Sequence, residues 1–235
     1  MISPIRGLQA LFNKEADKIY LLLADIDVEL TVSSETRDSI LNKLEKWNPE
    51  ETLKILASFA LIYNLKQVNK LISKSVSKVD PSISNADIRA FIKDLDNKAK
   101  KELLDYTSKV NILDIRNKLG NAIANKIVNS GSLSEALSKK EFRKSLDYAI
   151  GYDLPIIINN GYKTISESIV LSNEWVVNRP LDYPCYSVKG EIRKIGEKFS
   201  NGFYSPPVHF SCYCGLKPYS LSKSNIRKIK GYGKR

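Results

Sequence analysis

All three cysteines and the single histidine of this 235-residue chain fall between positions 185 and 214. They are Cys185, then His209, Cys212 and Cys214 inside the run PPVHFSCYC. Around them Gly, Pro and Tyr are frequent and helical periodicity fades. A small, turn-rich segment of this kind has little apolar surface to bury. Such segments commonly gain their fold from a metal or a crosslink. The last third of the chain is therefore expected to fold around these four side chains.

Zinc takes four ligands from thiolate, imidazole and carboxylate, and closed structural sites are typically Cys3His or Cys2His2. Cys185, His209, Cys212 and Cys214 make one Cys3His set. His209 and Cys212 have a tight, turn-like spacing. Cys212 and Cys214 are split by a single residue, shorter than the common spacer, which still permits chelation. Asp182, three positions before Cys185, is an alternative ligand. Two other readings stay open: a disulfide, or three structural thiols beside an ordinary histidine. The odd, low cysteine count argues against a secreted disulfide scaffold.

A Cys–His pair can also make a nucleophile, but that needs an orienting residue and an oxyanion site. Neither is visible nearby. No GxSxG, HExxH or P-loop glycine pattern occurs. The expectation is that the chain is not an enzyme and has no catalytic residues.

The preceding three-quarters reads as helix. LQALFNKEADKIYLLLADI places Leu8, Leu11, Phe12, Ile19, Leu22 and Leu23 mostly on one stripe. Ser34 can cap a second helix, with Ile40, Leu41 and Leu44 facing inward. Asn48-Pro49-Glu50-Glu51 is a strong restart: Asn caps, Pro fits the first turn, and the acids suit the positive dipole end. The helix it opens is expected to reach about Val76, with its middle, LASFALIYNL, buried on several sides. Asn85 or Ser84 caps the next, whose apolar face is Ile88, Phe91, Ile92, Leu95, Leu103 and Leu104. A helix in NILDIRNKLGNAIANKIVNSG is expected to stop at Gly131. Ser132 and Glu135 form a capping-box pattern ahead of EALSKKEFRKSLDYAI. GYDLPIIINNGY carries turn residues, TISESIVLSN reads as the last substantial helix, and EWVVNR as a short strand. The expected fold is mainly α: a helical body over 1–155, a small irregular α+β module over 156–220, and a basic tail over 221–235, flexible at its end. No run approaches the length a membrane span needs, so no membrane partner is expected.

Charge is unevenly spread. Residues 186–235 hold 11 Lys and Arg against 2 Asp and Glu, which is +9 of the chain's net +11. An anionic partner suits such a segment. Lys217, Lys223, Arg227, Lys228, Lys230, Lys234 and Arg235 could touch nucleic acid through its phosphates, without reading sequence. Tyr204, Tyr213, Tyr219 and Tyr232 could stack on bases, though tyrosines in a small module more often pack.

The ordered set Trp175, Cys185, Gly190, Pro206-Pro207, His209, Cys212, Cys214 resembles the C-terminal signature of phage minor head proteins, the Mu-F-like head morphogenesis family. There a Trp-bearing strand precedes C-x-x-C-x-x-x-D-G, and a PP-x-H-P-x-C-R-C element follows. Asp182 stands where the family has its first Cys, Lys189 where it has Asp before the Gly, Phe210 where it has Pro, and Tyr213 where it has Arg. The likeness covers about residues 160–220, roughly a quarter of the chain. It implies a minor capsid protein built into the virion during head assembly, and present in the host cytoplasm before that. It implies association with the portal or the major capsid protein at the inner wall, and no enzyme activity. The basic stretch would then lie where it could contact packaged double-stranded DNA. The alternative is a free-standing nucleic-acid-binding protein with a zinc-knuckle-like module.

Overall fold

The structure, a computed structural model, describes residues 4–24, 26, 34–130, 132–136, 138–151, 153–177, 185–208, 212 and 214–234. Among these the chain is mainly helical, with nine α-helices and one small antiparallel sheet near the C-terminal end. The order is α1 (Pro4–Leu23), α2 (Ser34–Leu44), α3 (Pro49–Val79), α4 (Asn85–Ser108), α5 (Ile112–Ser130), α6 (Leu133–Ala136), α7 (Lys139–Ile150) and α8 (Asp153–Ile169). Strands β1 (Val170–Val176), β2 (Ile192–Lys194) and β3 (Gly215–Leu221) and a short α9 (Lys223–Arg227) follow. No helix among the described residues is long and apolar enough to cross a membrane.

Contacts divide the chain into two compact units, and neither is continuous. One holds residues 1–56 and 107–154, the other 57–106 and 155–235. In the first, α5 packs against α2, α6 and α7, and α1 against α2 and α7. Ile19, Leu23, Ile40, Leu44, Ile115, Leu119, Phe142 and Leu146 are its buried centre. The side chains of Leu8, Leu11 and Phe12, and all of Gly131, lie outside the described residues.

Helix starts follow local chemistry. The Asn48 Oδ1 accepts from the backbone N–H groups of Glu50 and Glu51 at 3.1 and 3.3 Å, so Asn48 caps α3. Ser84, not Asn85, caps α4. Its hydroxyl accepts from Asp87 N at 3.1 Å, while Asp87 Oδ2 accepts from Ser84 N at 3.2 Å. This is a capping box with Asp in place of Glu. Ser132 Oγ accepts from Glu135 N at 3.3 Å and starts only the four-residue α6, not one long helix.

Four expectations are corrected. The middle of α3 is buried along one face, with Leu53, Leu56, Ala57, Ala60, Leu61 and Leu65 inside and Ile62 exposed, because an apolar run on a helix still turns at 3.6 residues. Leu104 likewise leaves the apolar face of α4 and is exposed, whereas Leu103 is buried. GYDLPIIINNGY is helix, not turn: α8 starts at Asp153 and continues to Ile169. Pro155 sits in its first turn, where a missing N–H breaks no bond. Finally, the basic segment is held in place as far as Lys234. The Tyr232 hydroxyl donates to Asp94 at 2.6 Å, its ring meets Phe91 edge-on at 5.2 Å, and Gly233 N donates to Asp87 Oδ1 at 2.9 Å. A Cβ at Gly233 would lie 3.2 Å from the Ala86 backbone, so this close approach favours glycine.

The sheet has the order β2-β1-β3, all antiparallel. β1 follows α8 without a loop. Opposite pairs include Asn173 with Arg193 on one side and Trp175 with Leu216 on the other.

Candidate metal centre

The site is built on Trp175. It lies on β1, fully buried, and its backbone is held from both directions. Trp175 N donates to Glu191 O and Gly190 N donates to Trp175 O, each at 2.9 Å. These bonds fasten the 3-10 turn Cys185–Val188 against the strand. Gly190 makes the return possible, because its φ of 78° is a left-handed conformation that side chains disfavour. Cys185, the first residue of the turn, is thereby fixed at the base of β1.

Cys212 and Cys214 reach the same place from the other side. Cys214 immediately precedes β3, whose Leu216 faces Trp175 in the ladder. The three sulfurs all lie within 4.8 Å of one another. Cys185 Sγ and Cys212 Sγ are 3.5 Å apart, well beyond the ~2.05 Å of a disulfide bond, and none of the three cysteines is in a disulfide. Thiolates about 2.3 Å from a tetrahedral ion stand roughly 3.8 Å from one another, so this spacing fits three corners of such a site.

The setting is dry. Cys185 and Cys212 are fully buried and Cys214 nearly so. Trp175, Val188 and Phe199 share their cluster, with Val177, Val208 and Leu216 packed against it. Trp175 and Phe199 meet edge-to-face at 4.8 Å. The Trp175 indole Nε1 is buried with no hydrogen-bond partner among the described residues. Hydrogen bonding from the Cys214 thiol is the main cause that brings the Cys212 thiol down to about 5. Backbone groups of Val208 and Cys214 and the Cys185 thiol add to it, against the opposing effect of burial. A thiolate is the form that binds metal. Three buried cysteines therefore lie close together and could bind a metal ion.

His209 and Asp182 lie outside the described residues, as do Tyr213 and Arg235. Val208, the residue before His209, packs against the sulfur cluster.

Of the basic residues, Lys217, Lys223, Arg227, Lys228, Lys230 and Lys234 are all exposed. Lys217 is paired with Glu174 at 2.8 Å, and Lys228 donates to Asn225 at 2.9 Å. Tyr204 and Tyr219 are exposed, not packed; Tyr232 is the one of the three that packs. Spacing offered no sign of Val188 and Phe199 as walls of the cluster. Nor did it reveal the buried bond from Tyr162 to Asn173, 2.7 Å long, which needs a helix and a strand to meet.

No family model, curated protein or solved structure matches the chain.

Proposed function

We propose that this chain is a minor head protein of a phage, of the Mu-F-like type. Its distal module is clipped by a structural zinc ion held by Cys185, Cys212, Cys214 and His209, with Asp182 as the alternative fourth ligand. One observation carries the reading. Five of the landmark residues of the sequence resemblance lie together, with Trp175, Cys185, Cys212 and Cys214 in one buried cluster and Gly190 bonded to Trp175. A sequence likeness of ordered residues has more weight when those residues pack together. The donor set, three soft thiolates with a borderline imidazole, suits zinc. Zinc there would act as a closed structural ion, and no reaction is assigned to the site.

In this reading the protein enters the head during assembly in the host cytoplasm, against the portal or the major capsid protein. Lys217, Lys223, Arg227, Lys228, Lys230 and Lys234, all exposed, would meet packaged DNA non-specifically. The test is co-sedimentation. The chain should travel with intact heads through a density gradient and stay with them after a high-salt wash. Absence from assembling and mature heads alike would overturn the proposal.

The second reading is a free-standing nucleic-acid-binding protein, and the exposed basic set favours it. It requires tight, salt-dependent binding by the isolated chain and no association with heads.

A further inference from the structure

A second site lies beside the sulfur cluster, in a cleft of about 500 Å³ between α8, the β2 turn and the Pro206-Pro207 segment. Its size falls within the usual range for ligand sites. Ile195, Phe199, Leu216 and the two prolines give it apolar walls. Phe199 and Leu216 also border the cysteine cluster, so the same packing shapes both.

Two side-chain amides that line this cleft are each bonded at one end only among the described residues. Asn173 is only 5 % exposed, and its carbonyl oxygen accepts from the Tyr162 hydroxyl. Its amide N–H2 has no hydrogen-bond partner among the described residues, yet is not sealed from solvent. Asn159 uses its N–H2 on Pro155 O at 2.8 Å, which leaves its carbonyl oxygen to accept from a ligand. One amide donor and one amide acceptor lining the same cleft match the alternating groups of a peptide backbone.

The charges at the rim are selective. Arg193 is engaged by Glu191 and by Lys198 O. Lys194 is exposed and has no ion-pair partner among the described residues. Lys163 is held only loosely, 3.8 Å from Glu167. Two available cations suit one or two carboxylates better than a phosphate chain. A nucleobase would need a stacking face, but the Tyr204 ring carries Lys198 Nζ 5.3 Å from its centre. Ile195 and Tyr204, which line the cleft, are exposed, as is Phe203 next to Tyr204 in the chain. This apolar rim extends the surface further than a small molecule would use.

We propose that this cleft binds a short acidic peptide segment of a partner chain, with one apolar side chain seated against Ile195, Phe199 and Leu216 and a neighbouring carboxylate on Lys194. The site is separate from the cysteine cluster and does not depend on the identity of any metal or on the head-protein reading.

The test is a selection from a random heptapeptide display library on the full chain as purified, followed by fluorescence anisotropy with the enriched peptides. Lys194→Glu and Ile195→Asp change exposed side chains, and circular dichroism checks that both variants remain folded. The expected result is enrichment of peptides with Asp or Glu beside Leu, Phe or Met, which bind either variant about tenfold or more weakly. Failure to enrich any peptide would overturn the proposal. So would affinity indifferent to Lys194→Glu, or displacement of the peptide by a short oligothymidylate, which would assign the cleft to nucleic acid.

Discussion

Cys185 and Cys212 hold their sulfurs 3.5 Å apart across 27 positions of sequence. The intervening chain, with β2 and three glycines at positive φ, closes back on its own start. Closing such a loop costs entropy that the few apolar contacts of the module must offset.

A zinc clip is the proposed means. Protein purified without added metal should carry one zinc per chain by elemental analysis. Chelation, or Cys185→Ser or Cys212→Ser, should release the metal and unfold the module, since structural zinc contributes on the order of 10 kcal/mol in small folds. A folded sample with no metal would end the zinc reading.

Trp175 should be the side chain most sensitive to substitution in this module. Trp175→Ala is expected to cost about 3–5 kcal/mol in a denaturant titration. Trp175→Phe should cost clearly less. It removes an indole N–H that has no partner among the described residues, and burying such a group unbonded costs about 1–3 kcal/mol. Equal losses would show that the indole finds a partner in solution.

Acid should loosen the C-terminal segment from α4. The backbone N–H of Gly233, followed by the Ser84 hydroxyl, holds the Asp87 carboxyl down at about 2. A depressed carboxyl stabilises the fold fully above its unfolded value near 4, and that contribution is lost as pH falls from about 4 to about 2. Hydrogen exchange at residues 229–234 should rise over this window. Asp87→Asn should exchange faster at neutral pH and lose the pH step. A wild-type profile flat between pH 5 and 2 would contradict the assignment.

Binding of the isolated chain to duplex DNA should weaken steeply with salt. Each phosphate contact contributes about 0.9 to the log–log slope. Arg227→Ala with Lys230→Ala should therefore reduce the slope by about 2, with no change in sequence preference. No binding at low salt would remove DNA from the list of partners.

The helices were legible in the sequence because their signals are local. Asn48-Pro49 and Ser84–Asp87 act within one turn, and their roles follow from residue type alone. The cluster of three cysteines was legible for another reason: rare residues that sit close in sequence have little room to sit apart. What could not be read depends on distant chain. Pro155 stood in a segment read as turn, and its place in the first turn of α8 reverses that reading. Gly233 fell in a tail read as flexible at its end, and nothing local named the partners of Tyr232 and Gly233, because Asp94 and Asp87 lie 138 and 146 positions away. Asn173 and Tyr162 are only 11 apart, but one faces the other solely because α8 passes straight into β1.

That long reach sets a timetable for synthesis. While a ribosome is still making the middle of the chain, the residues of α4 have been synthesised, but the ring that meets Phe91 and the amide that meets Asp87 have not. The second compact unit stays unfinished until residues 232 and 233 have emerged, and pairings of such wide span are slow to form. Until then its incomplete surface is open to chaperones and proteases. A nonsense codon at Tyr232 should lower the amount of protein recovered from cells far more than the loss of a short exposed tail would.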